Sequence, residues 1–236
     1  MEFEAELHNI WKALYHLQLP GVKEYACSDY LKGFDLLELP DDHIPSMEFL
    51  NERITPRTGW RTERTSVRYT DAVPWYNKFR QKIFLITDYM RSWEEINWTP
   101  EPDMFHDIFG HLPFMTLPYY TDLQDMFAPT FLAANTEQRE NIKRLAWFST
   151  EFGLIRENGK IKIFGAGLMS GNAEMVNVIK GNVPVKEFTI ENVILYNKAV
   201  WEHNSILFIF DSIDQLKHEL SRYFDPIRTG EMPVIS

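Results

Sequence analysis

Pro102-Asp-Met-Phe-His-Asp-Ile-Phe-Gly-His-Leu-Pro113 is the stretch from which the rest of the chain is read. It sets His106 and His111 around a short apolar run, and Glu151 follows about one helix further on. Two imidazoles and one carboxylate, with no cysteine nearby, form the ligand set of non-haem iron(II) oxygenase sites. The histidines are five residues apart, a spacing that on a regular helix turns them about 140° from each other. Gly110 is therefore expected to end or distort the helix, with Pro113 preventing its resumption and His111 bending back from just past the terminus. Taken alone, His-x4-His is a weak signal that two unrelated histidines would give equally well. It also differs from the His-Glu-x-x-His of zinc proteases.

Glu151 strengthens the metal reading. In Arg144-Leu-Ala-Trp-Phe-Ser-Thr-Glu-Phe-Gly-Leu-Ile155 it is the only acid in an apolar or weakly polar helical run. Burying an unpaired carboxylate is unfavourable by several kcal/mol, so such a residue needs a cation, a hydrogen-bond network or a shifted pKa. The bland alternative is a glutamate at the exposed edge of an amphipathic helix. Trp147, four residues earlier, shares its face and would put an indole in the wall of any cavity there. Zinc on the same three ligands would make a hydrolase site with an activated water.

The 236 residues suffice for one well-buried domain, and a formal charge of -10 disfavours nucleic acid and anionic membranes as partners. The acidic start Met-Glu-Phe-Glu-Ala-Glu is unlike a signal peptide, and no apolar run reaches the roughly 20 residues of a membrane helix. A single cysteine, Cys27, fits a reducing cytoplasm and reads best as a small buried hydrophobe.

Periodicity predicts a mostly helical single domain spanning 1–236, with a few short strands. A helical front segment, 1–58, is expected to wrap a core over 60–215. Its first helix should stop at Pro20-Gly21, and a later one should open at Ser46 and close at Pro56. A short strand is expected within 60–70, a helix over 75–81 and a buried strand over 82–87. Helical pattern resumes from Pro118 to about 134, with a kink or break at Pro129, and Asn135 opens a helix running to about Arg156. Asn158-Gly159 makes a tight turn into a strand over 160–164. Gly165-Ala-Gly-Leu-Met-Ser-Gly171 reads as a flexible loop before a helix at about 172–180. Another helix is expected over 187–201, a strand over 206–210 and a helix over 212–223. Residues 224–236, with two prolines, read as a loose tail.

Three blocks carry a resemblance to a known family. Thr99-Pro-Glu-Pro-Asp-Met-Phe-His-Asp-Ile-Phe-Gly-His-Leu-Pro113, Trp147-Phe-Ser-Thr-Glu-Phe-Gly-Leu154 and Phe164-Gly-Ala-Gly-Leu-Met-Ser170 stand in the order and near the spacing of the pterin-dependent aromatic amino acid hydroxylases. The similarity covers roughly 60–215. It implies the hydroxylase catalytic fold, Fe(II), a tetrahydropterin such as tetrahydrobiopterin, and O2 as co-substrate. By the resemblance, His106, His111 and Glu151 are the iron ligands, and Arg91 grips the substrate carboxylate, a task suited to a planar bidentate donor. Thr99, Pro102, Trp147, Gly167 and Ser170 fall on positions lining the amino-acid site. Ser170 could instead hold a ligand histidine in one tautomer.

Trp75 falls where the family stacks an aromatic on the pterin, and Asp107 where an acid faces the pterin ring. The implied activity is hydroxylation of L-phenylalanine to L-tyrosine, to which the bulk of Trp147 lends modest support. Tryptophan hydroxylation or meta-hydroxylation of phenylalanine are alternatives within the family. A zinc-dependent hydrolase and a non-catalytic binder of aromatic amino acids lie outside it. Two departures stand out. The segment 68–74 lacks the expected glycine-containing pterin loop, and His203 occupies a place where an aromatic is expected over the site. Without the family's regulatory and heptad-helix segments, a cytoplasmic monomer is the expected state.

Overall fold

The computed structural model describes residues 3–67, 71–99, 101–199 and 202–233. Parts of the 68–74 segment, Pro100 and the pair Val200-Trp201 therefore lie outside the described residues. Three helices lead the chain: α1 (Ala5–Tyr25), α2 (Ser28–Leu37) and α3 (Met47–Thr58). α1 buries Ile10, Trp11, Leu14 and Val22, the inward stripe that its apolar spacing predicts. It does not stop at Pro20. The proline removes one backbone bond, but burial of Val22 beyond it holds the last turn in place. Ser46 caps α3 by accepting from the Phe49 N–H, and that helix also continues past its proline, Pro56, to end at Gly59.

β1 (Arg61–Thr65) and β2 (Ile83–Thr87) flank α4 (Ala72–Phe79) and pair in parallel, with Arg61 opposite Ile83. The metal motif follows as a π-helical segment, His106–His111, continuous with α5 (Leu112–Met115). α6 (Pro118–Gln124) and α7 (Phe127–Ala133) come next, broken at Asp125-Met126 rather than at Pro129, which lies inside α7. Asn135 and Gln138 form a reciprocal capping box at the start of α8 (Thr136–Ala146).

α8 passes into a second π-helical segment, Trp147–Glu151, and the chain then turns into β3 (Leu154–Glu157), where the sequence predicts continued helix. β3 and β4 (Lys160–Ile163) form a hairpin through Asn158-Gly159, both at positive φ, as the dipeptide predicts. α9 (Ala166–Ser170) replaces the expected glycine-rich loop, and α10 (Asn172–Ile179) follows. Where a helix is expected over 187–201 the chain forms β5 (Val185–Glu187) and only the short α11 (Ile190–Val193), while the strand expected over 206–210 is present as β6 (Leu207–Phe210). The four-stranded sheet has the order β4-β3-β6-β5. α12 runs from Ile213 to Thr229, so the expected loose tail is in its first part a helix. Phe224 and Ile227 are buried on either side of Pro226 and anchor the last turn. The molecule is mostly helical with two small sheets, as the pattern analysis expects.

The front helices support the site from behind. Phe105 and Phe109 stack on each other at 4.7 Å, and Trp11 and Tyr15 of α1 meet them edge-on at 5.3 and 5.5 Å. The Tyr30 hydroxyl of α2 donates to the Phe109 carbonyl at 2.5 Å, inside the π-helical segment. Cys27 is completely buried between α1 and α2, and burial pushes its thiol pKa up, as befits an inert hydrophobe. Among the described residues no helix is long and apolar enough to cross a membrane.

Candidate metal centre and active-site cavity

A five-residue spacing cannot place two histidines on one face of an α-helix, and the chain resolves this by changing the helix. In a π-helix each N–H bonds five residues back, so residues five apart stand one above the other. His106 and His111 are such a pair, with ring centroids 4.7 Å apart and planes at 90°. Of the two outcomes expected at Gly110, distortion is the one found: the helix widens and continues, and Pro113 does not stop it, since it lies in the first turn of α5. Gly110 matters for close approach, since a Cβ there would lie 2.7 Å from the Ala166 carbonyl oxygen of α9. Gly165 does the same on the other side, where a Cβ would lie 2.2 Å from the Glu151 carbonyl oxygen. The glycine-rich run thus packs α9 against both π-helical segments at once.

The second segment widens for a local reason as well. The Ser149 hydroxyl donates to the Leu145 carbonyl at 2.5 Å, and the Thr150 hydroxyl to the Ala146 carbonyl at 3.1 Å. Both compete with the regular backbone ladder. The Phe152 N–H then reaches back to the Trp147 carbonyl at 2.9 Å. This turn delivers Glu151 to the histidines: its Oε1 lies 3.2 Å from His111 Nε2 and its Oε2 3.4 Å from His106 Nε2. The two Nε2 atoms are 3.0 Å apart. One ligand atom from each of the three residues fits within a span of 4.8 Å, the size of a metal site.

The donor set fits a divalent cation. Ser170 Oγ donates to the Ala166 carbonyl at 2.9 Å and so must accept the Nδ1 proton of His106, also at 2.9 Å. That leaves the His106 Nε2 lone pair directed at the cluster. Two nitrogens and two carboxylate oxygens then converge with few protons among them, an arrangement that calls for positive charge. Burial works against charge on both imidazoles. Glu151, with Asp107 and Asp103, outweighs it at His106, whose pKa is raised; at His111 Glu151 acts without them and against the neighbouring imidazole, and the pKa is lowered. The Glu151 carboxyl, despite burial, is held well below the usual range by the two imidazoles. Ser170→Ala is expected to weaken metal affinity by about 10–100-fold with the fold intact, read by metal titration of the purified protein. Unchanged affinity would show that the hydroxyl does not set the tautomer.

The cluster opens into a cavity of about 410 Å³, which the other sequence-predicted site residues also line: Trp75, Arg91, Thr99, Pro102, Asp107, Trp147, Gly167 and Ser170. Arg91 does not stand alone. Its Nε and Nη2 donate to the two carboxylate oxygens of Asp103 at 2.8 and 2.9 Å, and both side chains are buried. Asp103 also accepts the Arg91 N–H at 3.0 Å and, as the helix N-cap, the His106 N–H at 3.0 Å. Asp107 accepts the Thr87 N–H at 2.8 Å, and burial pushes its carboxyl up to about 7. Trp75 stacks on Phe79 at 5.7 Å. A Cβ on Gly167 would lie 2.6 Å from the Phe152 ring, so the cavity wall there has no room for a side chain.

Sequence reasoning reads Asp103 only as a favourable helix-start charge and gives no role to Tyr76, Glu174 or Asn204. Glu174 was detectable: it is the only acid in Asn172–Ile179, the same signal that marks Glu151. Tyr76 lines the cavity with its phenol close enough to Glu151 for the carboxylate, after burial, to raise its pKa. Asn204 offers no pattern at all. His203, expected over the site, stands 3.6 Å from the Glu174 carboxylate, with its ring 6.0 Å from that of Trp98.

Comparison with known proteins matches residues 1–230 to the family described as biopterin-dependent aromatic amino acid hydroxylase. Phenylalanine-4-hydroxylase of Vibrio cholerae is 29% identical over 227 residues, covering 94% of this chain and 76% of that protein. Its Pseudomonas aeruginosa counterpart is 33% identical over 172 residues, covering 72% of this chain and 64% of that protein. The structure of Chromobacterium violaceum phenylalanine hydroxylase with bound oxidised Fe(III) superposes with a TM-score of 0.90 at 26% identity, covering 99% of this chain and 86% of that one. With a family match over nearly its whole length and a three-residue metal cluster at the family's motif, the chain belongs to the biopterin-dependent aromatic amino acid hydroxylases.

Proposed function

We propose that the protein is a tetrahydropterin- and O2-dependent iron monooxygenase that converts L-phenylalanine to L-tyrosine. One observation carries this reading: the His106–His111–Glu151 cluster, the Arg91 guanidinium and the Trp147 indole line the same cavity. His106 and His111 through Nε2, and Glu151 through its carboxylate, hold the metal and leave one face open. Iron there, with a tetrahydropterin as two-electron donor, supplies the activation of dioxygen. The chain's own residues supply placement and dryness.

Arg91, oriented by Asp103, receives the substrate carboxylate, while Thr99 and Pro102 line the approach to it. Trp147 and Gly167 shape the space for the ring, and Ser170 holds His106 in the metal-binding tautomer. Trp75 presents a flat face for the pterin, with Asp107 beside it. The phenylalanine-4-hydroxylase names of the relatives support the substrate. We infer further that 1–236 is one catalytic unit, monomeric and cytoplasmic. The front helices pack directly on the metal segment, and the single thiol is wholly buried.

The test is a product assay. Protein reconstituted with iron(II), given tetrahydrobiopterin and air, is offered phenylalanine, tyrosine and tryptophan separately. Mass spectrometry seeks a gain of one oxygen, and chromatography separates para- from meta-tyrosine. Para-tyrosine is the expected product. Hydroxytryptophan or meta-tyrosine would keep the chemistry and replace the substrate or ring position. No product from any ring, with zinc held tightly instead of iron, would overturn the reading.

A further inference from the structure

We propose that Asn204, anchored by Glu174, fixes the Trp147 indole in the cavity wall and thereby sets which aromatic ring is accepted and which ring carbon is attacked. This rests on the reading of the cavity as an aromatic amino acid site.

Trp147 opens the π-helical segment that ends in Glu151, so the backbone fixes its Cα relative to the metal cluster. What the backbone leaves free is rotation about the side-chain torsions. Two contacts remove that freedom. The face of the indole lies against Phe152, with ring centroids 4.6 Å apart and planes at 40°. Its edge is tied through Nε1, which donates to Asn204 Oδ1 at 2.8 Å. Asn204 is in turn tied to α10: its Nδ2 and its backbone N–H donate to Glu174 Oε1 at 3.3 and 3.4 Å.

The chain of donors runs one way only. An indole N–H can only donate and a carboxylate can only accept, so the amide between them has a single allowed orientation. Glu174 is well sited as an anchor, since its side chain is 13% exposed and it lines the same cavity as Trp147. Its burial raises the carboxyl pKa, which the Asn204 N–H and His203 partly offset, so losing Asn204 would leave a buried carboxylate short of donors.

The segment that carries Asn204 thus acts on the ring through Trp147, and Asn204 and Glu174 are positioning residues. With the indole free to turn, the ring-binding space widens and the ring is held less firmly over the metal. A pocket contact of this size separates related rings by about tenfold in kcat/KM.

The experiment compares the unmodified protein with Asn204→Leu, Glu174→Gln and Glu174→Leu, each loaded with iron. Readouts are kcat and KM for phenylalanine and for tryptophan, the ratio of para- to meta-tyrosine, and calorimetric binding of phenylalanine without pterin. Asn204→Leu is expected to shift the phenylalanine-to-tryptophan preference by about tenfold, with KM moving more than kcat, and to produce meta-tyrosine. Phenylalanine binding weakens in parallel. Glu174→Gln still accepts from Asn204 and should stay within about twofold of the unmodified protein, whereas Glu174→Leu should follow Asn204→Leu.

Should Asn204→Leu not fold, Asn204→Ser, too short to bridge Trp147 and Glu174, gives the same comparison. Unchanged preference and product ratio in a hydroxylating Asn204 variant would overturn the proposal. So would a Glu174→Gln protein as altered as Glu174→Leu. An unmodified protein that hydroxylates no ring defeats the proposed function itself, and the inference with it.

Discussion

Glu151→Ala is expected to retain no iron through gel filtration and to form no tyrosine, while its far-ultraviolet circular dichroism matches that of the unmodified protein. The size of the effect follows from comparison with weaker perturbations. Removing an outer hydrogen-bond partner of a ligand lowers metal affinity by about 10–100-fold, and removing the only anionic ligand must exceed that. Glu151 supplies the one full negative charge among the three ligands, and its two oxygens reach both imidazoles at 3.2 and 3.4 Å. Without it, burial opposes charge on both imidazoles, against only the smaller pull of Asp107 and Asp103 on His106, and His111 has no acid left to support it. The fold should survive, because the turn at Glu151 is held by Ser149, Thr150 and the Phe152 N–H rather than by the carboxylate. Measured iron content and product yield decide the matter. Iron retained at normal stoichiometry with full turnover would remove Glu151 from the ligand set.

The three residues that cluster were legible in the sequence because residue chemistry is local: an acid alone in an apolar run, and two histidines beside a glycine, need explanation wherever they fold. The helix that presents them was not legible. Periodicity arguments count in turns of 3.6 residues, so a five-residue spacing reads as a break. The widened turn is stabilised by contacts from distant chain: Tyr30 on the Phe109 carbonyl and α9 packed against Gly110.

The run Gly165–Gly171 misled in the same way. Its glycines suggest flexibility in isolation, but in the fold α9 is a buried helix whose glycines permit contact with backbone carbonyls. Pro20 reads as a stop and Pro226 as part of a loose tail, yet both lie within helices whose final turns carry buried side chains, Val22 and Ile227. β3 reads as the end of a helix, since Leu154 and Ile155 suit either state, and pairing on both sides by β4 and β6 selects the strand. All of the chosen cavity residues do line one cavity. The partners that hold them, Asp103 on Arg91 and Asn204 on Trp147, are set by tertiary contact and left little trace in local pattern.

Asp103→Asn tests how much the site depends on such a partner. In the folded protein Asp103 is fully buried and accepts four hydrogen bonds: three from Arg91 and one from the His106 N–H. Burial alone would raise its pKa, but the Arg91 guanidinium and these donors hold it below the usual carboxylate range. Asparagine preserves the shape and leaves the buried Arg91 guanidinium without its bidentate counter-charge, with only the weaker pull of Glu95 beyond it. Breaking a buried pair from one side is destabilising by about 3–5 kcal/mol. For a chain of this size that lowers the melting temperature by on the order of 6–20 °C.

Function should fall as well, since the guanidinium loses its bidentate anchor and the N-cap of the ligand-bearing helix is weakened. The expected signature is a KM for phenylalanine raised more than kcat is lowered, because in the proposed function Arg91 acts on binding, whereas Asp103 bonds to no side chain of the metal cluster. The pH dependence follows the sign of the shift. A carboxyl with a depressed pKa contributes its full stabilisation above the unfolded value near about 4, and that contribution fades as pH falls through the folded value. The unmodified protein should therefore outlast Asp103→Asn at pH 7 by a wide margin, and the two melting curves should approach each other as the medium is acidified below about pH 4. Equal melting temperatures at pH 7 would show that the Arg91 charge is compensated from elsewhere in the cavity.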